Sequence, residues 1–237
     1  MTTQTMFPYD KEYIEQYSQE RNEPEWVKSF RLEAFDQANN LELPKPDKTK
    51  IGRWNFTRFK HSAEGEMISS LQDLPTELKD YLDPDNVPEN LIIQRNQTVA
   101  YANLSAELKE KGVIFTDIFT AFREHEELVK KYYMTDAVSV DEHRLTALHS
   151  ALLNGGVFLY IPKNVQVDTP IQTIFWQEDP EVALFNHVLI VADESSSVTY
   201  VENYVSHNVE QETVSNVVAE VIAEDNATIS FGAVDNF

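Results

Sequence analysis

"ALLNGGVFLYIPKNVQVDTPIQTIFWQ", Ala151–Gln177, is the stretch at which the chain changes character. A helix-like run stops at Asn154-Gly155-Gly156, and short apolar segments split by prolines take over. Downstream, "VFLYIP", "IQTIFW", "FNHVLIVA", "SVTYVENYV", "TVSNVVAEVIAE" and "ATISFGAV" follow one another. Their β-branched and aromatic content and short separations read as strands joined by short loops. In "SNVVAEVIAE" one face carries Val217, Ala219, Val221 and Ala223, and the other Val218, Glu220, Ile222 and Glu224. An antiparallel sandwich and a coil of stacked parallel strands both fit. Only Gly232 follows Gly156, and the Asn-Gly and Asp-Gly pairs that tight hairpins prefer are absent, which favours the coil. The final strand has no polar cap, so its rung is expected either to be cut short or to pair with another subunit.

Upstream the signals differ. Trp26, Val27, Phe30, Ala34 and Ala38 recur at helical spacing, with Pro24 suited to a first turn and Pro44 and Pro46 closing the run. "RWNFTRF" reads as a short strand and "PTELKDYL" as a short helix. "NLIIQRNQTVAYA" reads as a strand, "LSAELKEKG" as a helix ending at Gly112, and "VIFTD" as a strand. "DIFTAFREHEELVKKYY" reads as one helix capped by Asp117, and "DEHRLTALHSALLNGG" as another capped by Asp141. The organisation expected is a helical arm over 1–50, a small α/β region over 51–153 and the start of a right-handed parallel β-helix over 154–237.

Composition narrows function. The 237 residues are 42% hydrophobic, enough for a real core, and contain no cysteine, so no disulfide, thiolate nucleophile or thiolate ligand is available. No apolar run is long enough for a membrane span, and the start lacks a secretion signal, so a cytoplasmic setting is expected. A net charge of −21 disfavours nucleic acid and anionic membrane as partners. No Lys or Arg follows Lys163, whereas thirteen acids do, from Asp168 to Asp235. A solvated acidic face is the simplest reading, and a surface for a cation or a basic partner is the sharper one.

Catalytic motifs are lacking. No phosphate-binding glycine loop and no GxSxG elbow occur. "HEELV" places Val129 where a zinc protease needs its second histidine. His143 and His149, six apart, point to opposite sides of one helix. His187 shares a strand face with Phe185, Leu189 and Val191 and reads as a packed core histidine, and His207 as exposed. Glu202 and Glu220, placed as neighbours on adjacent rungs, would be the pair a glycosidase needs, with Trp176, Tyr200 and Tyr204 as sugar platforms. That sets a carbohydrate-active β-helix enzyme, a polysaccharide lyase or hydrolase, as the rival to a binding or structural protein.

Two blocks, "LNGGVFLYIPKNVQVDTPIQTIFW" and "HVLIVADESSSVTYVENY", together with "EPEWVKSFRLEAFDQANNLELPKPDKTKIGRWNF", resemble the SufB/SufD family of iron–sulfur cluster assembly proteins, and its SufD branch in particular. The resemblance covers essentially the whole chain. It implies a helical region followed by the β-helix, and a non-catalytic scaffold in the SufBCD complex, partnered by a SufB-like homologue and a SufC-like ATPase. Family members are longer, and their ATPase-docking helices and cluster-site histidine fall beyond residue 237. The resemblance therefore implies an N-terminal part of such a protein, with no catalytic, cofactor-binding or metal residue of its own. The complex would handle the cluster and ATP through its other subunits. A homodimer through the open β-helix end is the further expectation.

Overall fold

The computed structural model describes residues 9–63, 67–68, 74, 78, 81–82, 87–206 and 213–236. The chain starts with α1 (Lys11–Glu20), which the sequence reading passed over because Ile14 and Tyr17 make only a thin apolar stripe. Asp10 caps it by accepting from the Tyr13 N–H. In α2 (Glu25–Asn40) Pro24 stands at the cap itself, one position before the first turn. Ala34 and Ala38 pack against Ala147 and Ala151 of α6 (Arg144–Leu152), where small side chains allow close approach of the two helices. Arg31, almost wholly buried, is held by both Glu23 oxygens at 2.6 and 2.8 Å and donates to the Ala151 carbonyl, so its charge is balanced inside the core.

Several expectations need correction at the level of single elements. "RWNFTRF" is no strand; Ile51–Arg53 form a single 3-10 turn. "NLIIQRNQTVAYA" is a hairpin, β1 (Leu91–Arg95) and β2 (Thr98–Asn103), folded at Asn96, which takes the left-handed conformation (φ 48). After α3 (Ala106–Glu110) and β3 (Ile114–Asp117), the expected long helix is two, α4 (Ile118–Glu124) and α5 (Glu126–Tyr132), parted at His125. Asp117 caps α4 as expected, but His143 rather than Asp141 caps α6, through Nδ1 and the Thr146 N–H. "PTELKDYL" and His207 lie largely or wholly outside the described residues.

The remaining strands are β4 (Gly155–Ile161), β5 (Ile171–Gln177), β6 (Leu184–Ala192), β7 (Ser197–Ser206), β8 (Ser215–Ala223) and β9 (Thr228–Asn236). They build two sheets, ordered β2-β1-β5-β7-β9 and β3-β4-β6-β8. The expectation of a right-handed parallel β-helix starting at 154 is thereby corrected. The fold is α/β with two sheets of mixed direction: β1 pairs antiparallel with β2, and β3 antiparallel with β4. The strands β4 to β9 do run parallel within their sheets. Strand signals carry neither partner nor direction, so the sequence did not reveal that β1, β2 and β3 join the same sheets.

Successive strands from β4 onward alternate between the sheets, and their turns stack. Asn164, Ser195 and Asn226 all adopt positive φ and lie 31 residues apart. The Asn164 N–H donates to the Glu194 carbonyl, and the Ser195 N–H to that of Asp225. This period was present in the sequence and is the signal that the reading by strand starts missed. Between the sheets lie Val157, Leu159, Ile171, Phe175, Val188, Ile190, Tyr200 and Tyr204. On the other side of the four-stranded sheet, Phe158, Leu189 and Val191 pack on Phe119, Phe122, Val129 and Tyr133. Strands covered on both faces explain the near-continuous apolar runs.

The twin glycines are the hinge of this packing. Gly155 lies opposite Asn186 and Gly156 opposite His187. A Cβ on Gly155 would fall 2.3 Å from both Asn186 Oδ1 and Gln94 Nε2. The Gln94 carbonyl oxygen accepts from the Gly156 N–H at 2.8 Å, and its amide donates to Asn186 at 2.9 Å. Asn154, fully buried, donates to the carbonyls of His61 and Ala183 and accepts from the Phe185 N–H. The chain leaves α6 at 154 because this polar knot fixes β4 beside β6.

Candidate functional site

The sequence singled out carboxylates, histidines and aromatics, and the fold separates them. Glu202 on β7 points between the sheets beside Tyr200 and Tyr204, whereas Glu220 on β8 points at the helices. The two carboxylates belong to different sheets and do not oppose each other across a cleft. Trp176, Tyr200 and Tyr204 are core residues, each no more than 2% exposed. None is a sugar platform, and the carbohydrate-active reading is corrected on this geometry. No group of three or more His, Cys, Asp or Glu able to hold a metal occurs among the described residues.

His187 is packed, as its strand face suggested, and it belongs to a buried array that the sequence did not show. His149 Nδ1 lies 3.2 Å from the Asn216 carbonyl, and its Nε2 3.1 Å from His187 Nδ1. A carbonyl only accepts, so His149 carries its proton on Nδ1 and accepts on Nε2. His187 must then donate from Nδ1. Its Nε2 lies 2.9 Å from Glu220 Oε2, off the ring axis, with both side chains fully buried. Glu220 also accepts from the N–H groups of Met134 (2.8 Å) and Val138 (3.3 Å). Burial first, and then the neighbouring His187, holds the His149 pKa well below the ordinary histidine value. Met134 is held at φ 52 with its N–H aimed at Glu220. The array locks β6 and β8 to α6 and the 133–138 segment.

Glu202 is the second buried acid. Burial, opposed by Tyr200 and reinforced by Asp235, raises its pKa from 4.5 to about 7. Below pH 4.5 the group is neutral in the folded and unfolded chains alike. Between pH 4.5 and 7 the unfolded chain gives up its proton first, so stability falls as pH rises. The gap corresponds to about 3 kcal/mol. Glu202→Gln is expected to remove that loss: urea midpoints at pH 4.5 and 8 should differ less in the variant than in the parent. An unchanged pH dependence would contradict this assignment.

The acidic second half is not a single bare face. Glu178, Glu181, Glu194 and Glu224 pair with Arg95, Lys60, Lys163 and Lys131. The charge asymmetry of the sequence is thus partly cancelled across the fold.

A few large apolar side chains are exposed as well. Both sheets finish on edge strands, β8 and β9, and Val217, Val221, Phe231 and Val234 on them are each at least 38% exposed. The side chains of Val217, Ala219, Val221 and Phe231 continue the inward faces of β6 and β7, with no strand beyond them among the described residues. Beside β8 runs a groove of about 1060 Å³, whose walls include Trp54, Phe56, Leu145 and Val217. The apolar walls of this groove are the candidate interaction surface among the described residues.

The comparisons with known proteins give the class to which this fold belongs. Residues 6–173 match the SufBD protein N-terminal region, and 175–237 the SufBD core domain of the SUF system for FeS cluster assembly. The chain belongs to the SufBD family. It is 56% identical over all of its 237 residues to the iron–sulfur cluster assembly protein SufD of Bacillus subtilis (strain 168), covering 54% of that protein. It is 31% identical over 233 residues to a SufBD family protein of Staphylococcus saprophyticus, and 32% identical over 233 residues to one of Staphylococcus aureus (strain USA300). In both cases 94% of this chain matches half of the relative. The chain spans about half the length of the relatives it matches. No helix among the described residues is long and apolar enough to cross a membrane.

Proposed function

We propose that this chain serves as a non-catalytic scaffold portion of a cytoplasmic Suf complex for iron–sulfur cluster assembly, working with a SufB-like homologue and a SufC-like ATPase. The observation that carries the proposal is the match of residues 6–173 and 175–237 to the two SufBD family regions, with 56% identity over the whole chain to an iron–sulfur cluster assembly protein SufD. The cluster is the cargo of the complex. With no cysteine in this sequence, any thiolate that holds the cluster comes from elsewhere.

The chain extended to the length of its relatives should co-elute with the SufB-like homologue and the SufC-like ATPase in size-exclusion chromatography. Elution of the extended chain apart from both partners would reject the proposal.

A further inference from the structure

A second cavity lies where the C-terminus of α1 meets α4 and the twin glycines. Its volume is about 330 Å³, and its walls include Arg21, Arg123, Thr98, Thr120, Gly155 and Gly156. Among the described residues ten basic side chains pair with a carboxylate, and Arg21 and Arg123 are not among them.

Both are positioned. The Arg21 guanidinium sits over the Phe119 ring at 4.5 Å and the Tyr17 ring at 4.8 Å, which positions it at the cavity wall. Arg123 donates to Thr120 Oγ1 at 3.0 Å and reaches the Arg21 backbone carbonyl at 3.5 Å, and both arginines line the same cavity. The acid on the wall, Asp117, is already engaged: its Oδ1 accepts from the N–H groups of Phe119 and Thr120. Gly155 and Gly156 contribute to the lining.

We propose that this cavity binds a small oxyanion, a free phosphate or the carboxylate of a small molecule, with Arg21 and Arg123 as its charged ligands and the threonines as further donors. The planar forks of two arginines match such a group, and each charge-assisted hydrogen bond is stronger than a neutral one. The volume suits a ligand of small-metabolite size.

The test is an amide NMR titration of the chain with inorganic phosphate and, separately, malonate, at constant ionic strength set with chloride. Saturable shifts at Thr98, Thr120, Gly155 and Gly156 are expected with at least one of the two anions, and the tighter one identifies the ligand class. Arg123→Gln, on an exposed position, should weaken that binding by about tenfold or more without unfolding the chain. Arg21→Lys keeps the charge but loses the stacked fork and should also weaken it. Shifts that never saturate with either anion, or equal affinity in the Arg123→Gln variant, would overturn the proposal.

Discussion

Gly156→Ala is expected to destabilise the chain by about 3 kcal/mol or more, enough to leave much of it unfolded at 37 °C. The residue sits at φ 134, a conformation that L side chains rarely adopt. A Cβ there would lie 2.0 Å from the His187 carbonyl oxygen and 2.6 Å from its nitrogen. Those atoms are the backbone of the adjacent, fully buried strand β6, so they cannot swing aside as a flexible side chain would. Relief would require β4 and β6 to separate and break their ladder. Gly232→Ala is the matched control: nothing lies within 4 Å of its Cβ position, and its effect should stay within about 0.5 kcal/mol. Thermal and urea unfolding of the two variants measure the contrast. Similar stabilities for both would show that β4 and β6 are not packed as described.

Glu220→Leu is expected to cost about 2–4 kcal/mol, because it strands two donors that now end on a buried carboxyl group. The Met134 N–H, held at positive φ and aimed at Glu220, and the Val138 N–H would both lose their acceptor. Glu220→Gln keeps one oxygen for them and should lose less than Glu220→Leu. Urea midpoints for the two variants measure the contrast. A loss under about 1 kcal/mol for Glu220→Leu would mean that the two N–H groups do not depend on this side chain.

The two buried acids also show where sequence reading stops. Glu202 and Glu220 read in sequence as neighbours on adjacent rungs, and the fold instead puts them in different sheets, each buried. Glu202 is drawn inside because Tyr200 and Tyr204, on the same face, fill the space between the sheets. Glu220 is drawn inside because α6 and the 133–138 segment cover the outer face of β8. Both coverings come from residues distant in the chain. The same holds for Arg31, which reads as one polar position in a helix and is in fact neutralised by Glu23 and tied to the Ala151 carbonyl. The positions of strands β4 to β9 were legible, since each is a run of β-branched and aromatic residues bounded by turn formers. The stacked turns were legible in principle too, in the 31-residue spacing of Asn164, Ser195 and Asn226.

By itself, the sequence determined where helices give way to strands, that the family resemblance is to SufB/SufD proteins, and that no cysteine chemistry is possible. These rest on local pattern, on quoted blocks of residues and on simple composition. Only the tertiary structure decided that the strands form two mixed sheets joined by the 91–103 hairpin and by β3, that Glu220 meets His187, and that Arg21 and Arg123 share a cavity. The reason is that hydrophobic periodicity fixes which face of an element is buried, but not what buries it. Pairing partners, strand direction and side-chain encounters are set by contacts tens of residues apart, and these exist only once the chain has closed on itself.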